Sequence, residues 1–325
     1  MLRAGGRWAQ SARMNEYDVV IIGGGAAGLS AALVLSRARR TVLVVDSGSP
    51  RNAPAAHMQG FLSRDGLAPA ALLAAGRDEV TGYGGQVLSG TVTGVATGPG
   101  PRFGVRLAAG GHVSARQLLV ATGLRDEIPD IPGLRERWGR DVLHCPYCHG
   151  WEVRDQRLGV LADASPGSVR YAQIVRQWTK DLIVFVPAAS LTAGQREGLT
   201  ARGIGITEAG VNRVVVEDGR LAGVELDDGR LVHRDAVFVP PRFVPNDGVL
   251  AALGCDITPD GWIITGPDGR TSVPGVWAAG NVANPRAQVI TAAGEGSAAA
   301  IAINADLAAE DVRDAIAAPG RVTVP

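Results

Sequence analysis

The chain has 325 residues, 46% of them hydrophobic and 20% charged, which is enough for about two domains with ordinary cores. Its 32 basic residues balance 32 acidic ones, so no positive surplus indicates a nucleic-acid partner. No apolar run reaches the ~20 residues that a membrane span needs. Two of the three cysteines form one C-x-x-C motif, which argues against a structural disulfide framework and fits a cytoplasmic protein whose cysteines do chemistry.

The N-terminal segment Met1–Arg13 is basic but lacks the apolar core of a secretory signal. We therefore expect residues 1–14 to form a disordered leader. After it, the β-branched run Tyr17–Ile22 predicts a buried parallel strand. A glycine-rich turn, a helix over Leu29–Ser36 and a strand over Thr41–Val45 complete a βαβ unit.

The later patterns predict a second α/β region and a return to the first sheet. In chain order they are a strand Leu118–Val120, a Pro-rich crossover Arg125–Leu134, a strand Leu158–Leu161, a helix Val169–Thr179, a strand Leu182–Val186, a hairpin of Val211–Val216 and Gly223–Leu226, a second crossover Pro240–Pro245, a strand Gly275–Ala279 and a helix Ala292–Leu307. This order predicts an α/β fold with two Rossmann-like doubly wound domains. Residues 15–124 and 243–325 would form a discontinuous domain, and residues 125–242 an inserted module that carries the C-x-x-C motif.

The turn after the first strand has the spacing of a dinucleotide-binding fingerprint, Gly23-x-Gly25-x-x-Gly28. Gly23 permits the tight turn, Gly25 lets the backbone approach a pyrophosphate, and Gly28 allows close strand–helix packing. The helix N-terminus then faces the phosphate charge. Asp46 ends the second strand about 20 residues on, where a carboxylate binds ribose hydroxyls. The alternative, a merely tight βα turn, would not need the acid.

The fingerprint alone leaves NAD and FAD open. Ala121-Thr122-Gly123 and Ala279-Gly280-Asn281 resemble two further signatures of flavoproteins with two dinucleotide domains, and both favour FAD. The late signature usually ends in Asp, which holds the flavin ribityl chain, and Asn281 can still bond a hydroxyl. The discontinuous domain is therefore the expected FAD domain. The candidate FAD-binding residues are Gly23, Gly25, Ala27, Gly28, Asp46, Ser47, Arg51, Asn52, Ala121, Thr122, Gly123, Gly280, Asn281, Gln288 and Val289.

The segment from His144 to Gly150 reads His-Cys-Pro-Tyr-Cys-His-Gly. Cys145 and Cys148 can close a small disulfide at this spacing, and a helix beginning near Cys145 would favour its thiolate. The flanking His144 and His149 can exchange protons near neutral pH. A zinc half-site would need further ligands, and Cys255, the remaining cysteine, is better explained as a small core residue. Two buried inert thiols are the other alternative. We expect no metal.

These motifs, together with Gln288-Val289-Ile290-Thr291-Ala292-Ala293-Gly294-Glu295-Gly296, resemble low-molecular-weight thioredoxin reductases over nearly the whole chain after the leader. That resemblance implies two doubly wound domains and a homodimer. It also implies that Cys148 is the flavin-side thiol and that Cys145 exchanges with substrate.

The stretch Cys-Pro-Tyr-Cys-His-Gly-Trp-Glu resembles more narrowly the FAD-dependent dithiol oxidases that close disulfides in natural products of the gliotoxin and holomycin kind. Thioredoxin reductases usually carry an acid where this chain has His149. A reductase also needs an NADPH fingerprint after strand Leu158–Leu161, but the expected glycine positions hold Ala162 and Ala164, and only Gly167 remains.

The basic cluster that would bind the 2′-phosphate of NADPH is also missing after the next strand, where the chain reads Val184-Phe185-Val186-Pro187-Ala188. The sequence hypothesis is therefore an FAD-dependent oxidase that forms a disulfide in a small-molecule dithiol and reduces O2 to H2O2. An NADPH- or ferredoxin-dependent disulfide reductase and a flavin-bearing redox sensor are the alternatives.

Overall fold

The chain folds as two compact α/β units in a computed structural model that describes residues 15–98 and 103–318. The leader predicted at residues 1–14 lies outside the described residues. The first unit contains the described residues of 15–49, 75–123 and 246–318. The second unit contains residues 50–74 and 124–245.

The described elements alternate between strands and helices. The strands are β1 (Asn15–Ile22), β2 (Val42–Asp46), β3 (Gln86–Ser89), β4 (Val92–Thr97), β5 (Phe103–Leu107), β6 (His112–Val120), β7 (Leu124–Glu127), β8 (Val142–Leu143), β9 (Leu158–Leu161), β10 (Leu182–Val186), β11 (Gly205–Glu208), β12 (Val211–Glu217), β13 (Arg220–Leu226), β14 (Leu231–His233), β15 (Ala236–Phe238), β16 (Arg242–Pro245) and β17 (Val276–Ala278). The helices are α1 (Ala26–Arg37), α2 (Pro69–Gly82), α3 (Leu134–Arg137), α4 (Pro146–His149), α5 (Pro166–Val175), α6 (Ala193–Ala201), α7 (Gly248–Ala252) and α8 (Val289–Ala317), and Gly280–Val282 forms a 3-10 turn.

The first unit is built on a seven-stranded sheet in the order β3-β2-β1-β6-β5-β4, with β17 pairing β6. Strands β1, β2, β3, β6 and β17 run parallel, and the β4–β5–β6 ladder is antiparallel. Val19, Val20 and Ile21 of β1 are fully buried, as the β-branched run predicts for a strand covered on both faces. The predicted FAD-type doubly wound fold is confirmed.

Helices α1 and α8 pack closely in the first unit because small residues face each other. A Cβ added at Gly296 would lie 2.0 Å from the carbonyl oxygen of Ala27. A Cβ at Gly280 would lie 3.0 Å from the methyl of Ala27. The alanine-rich C-terminal helix is longer than the sequence predicts, since it runs from Val289 to Ala317.

The second unit is built on a five-stranded parallel sheet in the order β11-β10-β9-β15-β8. A three-stranded antiparallel sheet, β12-β13-β14, contains the predicted hairpin, and its Val214 and Val224 share a core with Leu161 and Phe185. Because β8, β9 and β10 run parallel, their carboxyl ends meet at one edge of this sheet, which is where such folds bind ligands.

Three boundaries differ from the sequence prediction. Residues 50–74 group with the second unit rather than with the FAD domain. The reason is local contact, because Arg51 pairs with Asp126 and Gly139 lies against Pro54. The two Pro-rich crossovers also contain strands, since β7 and β16 pair antiparallel. The units therefore change at 123/124 and 245/246 rather than at 124/125 and 242/243.

Among the described residues, no helix combines the length and apolarity needed to cross a membrane.

Candidate active site

The cysteine pair lies at the carboxyl edge of the second unit's parallel sheet. Strand β8 ends at Leu143, and two residues later Cys145 caps the N-terminus of the four-residue helix α4. Cys145 and Cys148 are joined by a disulfide. The backbone N–H of Cys148 donates to Sγ of Cys145 at 3.1 Å. This donor would stabilise a thiolate at Cys145 once the disulfide opens.

Gly150 lets the short helix α4 pack against Trp178. A Cβ at Gly150 would lie 2.5 Å from the carbonyl oxygen of Pro146 and 2.7 Å from the Trp178 ring. Tyr147 lies edge-on to the same Trp178 ring and is 63% exposed. The disulfide is therefore carried on a fixed turn with an exposed aromatic residue between its two cysteines.

His144 is enclosed by aromatic rings and by an arginine. Its ring stacks on Trp138 with centroids 5.6 Å apart, and Phe243 meets it edge-on at 6.1 Å. Nη2 of Arg51 lies 3.1 Å from Nε2 of His144. Burial and, after it, the Arg51 cation lower the pKa of His144 from 6.5 to about 4. His144 is therefore neutral at physiological pH.

Arg51 is held by a carboxylate that no sequence motif indicated. Nε and Nη2 of Arg51 donate to the two oxygens of Asp126 at 2.9 and 2.6 Å. The guanidinium also lies over the Phe243 ring, 4.9 Å from its centroid. The sequence prediction placed Arg51 and Asn52 with the FAD-binding residues, but both lie in the second unit. The Asn52 carbonyl accepts the Ala55 N–H in a turn there.

His149 has one buried ring nitrogen. Nδ1 has no hydrogen-bond partner among the described residues, which is uncommon for a buried polar atom. Burial lowers the pKa of His149, and the nearby Glu152 carboxylate opposes this effect. Glu152 in turn accepts a hydrogen bond from Nε2 of Gln59 at 3.1 Å. His149 is thus a proton acceptor in its ground state at neutral pH.

The turn after β9, where a nucleotide-binding unit holds pyrophosphate, is filled by its own side chains. Oδ1 of Asp163 accepts from the Ser165 N–H at 3.0 Å and from the Ser168 hydroxyl at 2.5 Å. The Ser165 hydroxyl caps the N-terminus of helix α5 by accepting the Ser168 N–H. These bonds lower the pKa of Asp163 and keep it charged. A carboxylate and a side-chain cap therefore take the place of an anion at this helix N-terminus.

Two further features of this region depart from an NADPH site. Ala164 has a φ of +61°, a conformation that favours glycine. The residues after β10 read Pro187-Ala188-Ala189-Ser190 and contain no base.

In the first unit, the glycine fingerprint forms the expected turn. Gly23 has a φ of +108°, and a Cβ there would lie 2.4 Å from the Ala121 carbonyl oxygen. A Cβ at Gly28 would lie 1.9 Å from the Gly23 carbonyl oxygen. At Gly25 an added Cβ meets nothing within 4 Å among the described residues. The first and third glycines are required by packing, and the second faces open space where a pyrophosphate fits.

The surroundings of this turn also fit a dinucleotide. Helix α1 has no side-chain cap at Gly25 and no acid in its first turn, so its N-terminal dipole is available to an anion. Asp46 accepts the Gly24 N–H at 3.1 Å and pairs with Arg77 at 3.3 Å. Ser47, the next residue, is exposed. Ala27 lies in the first turn of α1.

The two other expected FAD signatures bond to the chain that follows them. The Thr122 hydroxyl donates to the carbonyl of Asn246, beside Gly123, whose carbonyl accepts the Asn246 N–H. Nδ2 of Asn281 donates to the carbonyls of Asn284 and Ala287, both at 2.9 Å. An aspartate at position 281 could not make these two bonds, which gives a structural reason for asparagine. Gln288 and Val289 begin helix α8, which also lacks a side-chain cap.

The zinc alternative gains no ligands from the fold. Cys255 is a buried core residue whose thiol contacts the Thr271 hydroxyl at 3.5 Å. Across the described ranges, no group of three or more His, Cys, Asp or Glu side chains could hold a metal ion.

Comparison with known proteins agrees with this geometry. Residues 17–296 match the family model of the pyridine nucleotide-disulphide oxidoreductases. The thioredoxin reductase sirT of Leptosphaeria maculans is 32% identical over 320 residues, covering 90% of this chain and 96% of the relative. The crystal structure of HlmI is 58% identical with a TM-score of 0.91, covering 95% of this chain and 98% of HlmI. The putative thioredoxin reductase TrxB of Bacillus anthracis is 30% identical with a TM-score of 0.86, covering 91% and 99%. This chain belongs to the pyridine nucleotide-disulphide oxidoreductase family, as an oxidoreductase of the thioredoxin-reductase-like flavoproteins, which generally bind FAD.

Proposed function

We propose that the protein is an FAD-dependent dithiol oxidase that closes an intramolecular disulfide in a small-molecule natural product. The overall reaction is R(SH)2 + O2 → R(S–S) + H2O2. The resemblance of the Cys145–Glu152 stretch to dithiol oxidases of the gliotoxin and holomycin kind supports this substrate class.

The observation that carries the proposal is the filled turn after β9. An NADPH-dependent reductase needs this turn to accept a pyrophosphate. Here the Asp163 carboxylate, bonded to Ser165 and Ser168, occupies the helix N-terminus and repels an anion. Electrons would then enter from the dithiol rather than from a nicotinamide.

The disulfide supports a two-step exchange. A substrate thiolate attacks Sγ of Cys145, the Cys145–Cys148 bond breaks, and Cys148 leaves as a thiolate. The second substrate thiolate attacks the substrate sulfur of the mixed disulfide and displaces Cys145. The Cys148 N–H, 3.1 Å from Sγ of Cys145, stabilises that leaving thiolate.

Each turnover releases two protons from thiols whose reference pKa is about 8.5. Because Nδ1 of His149 is buried, Nε2 is the nitrogen that exchanges a proton with substrate. The lowered pKa of His149 keeps this nitrogen unprotonated at neutral pH. His149 is accordingly the proposed general base.

In this proposal FAD is held by the glycine turn, with Asp46 on its ribose, and by residues of the other two signatures, Ala121–Gly123 and Gly280–Asn281. When bound, FAD supplies the two-electron acceptor that returns the cysteines to the disulfide and passes the electrons to O2.

An anaerobic titration tests this function. Dithiothreitol, a small dithiol, should bleach the visible flavin absorbance of the FAD-loaded protein, whereas NADPH should do so slowly or not at all. On readmission of air, disulfide and peroxide should form one-to-one. Rapid stoichiometric bleaching by NADPH would overturn the proposal.

The second candidate is an NADPH-dependent disulfide reductase, favoured by the names of relatives such as the thioredoxin reductase sirT. The same titration separates the two, because a reductase takes its electrons from NADPH.

A further inference from the structure

Arg51 is fixed in place by groups on two paired strands. Asp126 of β7 and Phe243 of β16 are direct partners in the antiparallel register. Asp126 binds Nε and Nη2 of Arg51 through both oxygens, and Phe243 lies under the guanidinium. The Asp126 side chain is only 8% exposed, so water competes little for this pair. The bidentate contact fixes the plane of the guanidinium.

The third contact of this guanidinium is with His144. Nη2 of Arg51 lies 3.1 Å from Nε2 of His144. A guanidinium has donors only, and it does not lose its proton in proteins. Nε2 must therefore be the acceptor, and a neutral ring with an unprotonated Nε2 carries its proton on Nδ1.

The His144 ring has little freedom to leave this arrangement. Trp138 stacks on it, and the Tyr171 hydroxyl donates to the His144 carbonyl at 2.5 Å. The charged and titratable groups that face the ring are Arg51, Asp126 and His149. Arg51 and His149 oppose a second positive charge there, and Asp126 offsets them only in part because it is already paired.

We propose that Arg51 and Asp126 are positioning residues that lock His144, the neighbour of Cys145, as the neutral Nδ1–H tautomer. His144 is then a hydrogen-bond donor beside the exchanging sulfur, and the substrate proton goes to His149. This inference rests on the proposed function for its role in turnover, whereas the tautomer itself is a property of the oxidised protein at rest.

The tautomer can be measured directly by ¹⁵N NMR on the oxidised, FAD-loaded protein with labelled histidine. The His144 signals are assigned by their loss in His144→Gln. The wild-type ring should carry its proton on Nδ1 at pH 7 and remain neutral at pH 5.5. An Nε2–H tautomer, or a ring protonated at pH 5.5, would overturn the proposal without any other variant being needed.

Arg51→Met removes the cation, and Asp126 then faces His144 without its partner. The midpoint of His144 should rise by about one pH unit or more. The pH profile of turnover should gain a second ionisation at that midpoint. Arg125→Met is the matched control, because Arg125 is adjacent on β7 but pairs with the exposed Glu127. No shift in Arg51→Met, or an equal shift in Arg125→Met, would contradict the inference.

Asp126→Asn gives an independent test of the clamp, since it leaves the charge of Arg51 in place. His144 should stay neutral but lose its single tautomer, so that both Nδ1–H and Nε2–H signals appear. A single unchanged tautomer would exclude a role for Asp126. Wild-type oxidase turnover is assayed in parallel: its absence with the tautomer intact would contradict only the proposed function.

Discussion

At the scale of single residues, the two cysteines and two histidines of one short segment differ in environment. Cys145 caps a helix and accepts a backbone N–H. His144 is held by Arg51, and His149 has a buried Nδ1 that lacks a partner among the described residues. The sequence named all four residues as candidates, but it gave no basis for separating the roles of the histidines. Their neighbours provide that basis.

Replacing each cysteine should test the roles assigned to Cys145 and Cys148. Both Cys145→Ser and Cys148→Ser should lose turnover. Cys148→Ser should form a mixed disulfide with glutathione disulfide faster than Cys145→Ser, because the capped Cys145 thiolate is stabilised. Mass spectrometry gives the rates. The double variant is the control, since the pKa of buried Cys255 is raised by burial and this thiol should stay unmodified. Faster reaction of Cys145→Ser would reverse the two roles.

His149→Ala should slow dithiol oxidation by roughly 100-fold or more at pH 7, the usual scale of one general base, without loss of FAD. Because burial lowers the pKa of His149, wild-type kcat/KM should rise with pH through a midpoint below 6.5 and then level off. In the variant this limb should disappear, and the rate should follow the substrate thiol up to a pKa of about 8.5. His233→Ala, on strand β14, is the control. Equal rates in both variants would make His149 structural.

At the scale of elements, the helix that follows β9 illustrates what a sequence pattern misses. The prediction began this helix at Val169, but α5 begins at Pro166 with Ser165 as its cap. Serine before proline is a common start signal, so this error was avoidable. Strands β7 and β16 were less accessible, because their Pro-rich surroundings are typical of linkers and only their mutual pairing makes them strands.

The turn between β9 and α5 should respond oppositely to two similar substitutions. Ala164→Gly should stabilise the protein by about 0.5 kcal/mol or more, because glycine adopts a positive φ without the strain that alanine has. Ala162→Gly, two residues earlier and without a positive φ, should destabilise it by about 1 kcal/mol. Urea unfolding midpoints measure both. Loss of stability in Ala164→Gly would show that its methyl packing outweighs the strain.

At the scale of the whole molecule, the buried His144 links stability to pH. The unfolded chain protonates this ring below pH 6.5, whereas the folded protein holds it neutral down to about pH 4. The unfolded state therefore binds more protons as the pH falls through this window, and stability is lost. From pH 7 to pH 5 the loss due to His144 should be about 2 kcal/mol.

Urea unfolding of the wild type and His144→Gln at both pH values measures this contribution as the difference between their losses. His57→Gln is the control, because His57 is exposed. If the wild type and His144→Gln lose the same stability, the ring is not held neutral by the fold.

The sequence by itself determined the features that are local in the chain. The glycine turn, the C-x-x-C segment and the missing second fingerprint each lie within about ten consecutive residues, and local sterics fix what such segments can do. The tertiary structure alone decided the contacts of Arg51, which are 75 residues from Asp126 and 93 residues from His144 along the chain. No spacing rule predicts such a cluster, because its geometry depends on how strands β7 and β16 pair and on where residues 50–74 pack.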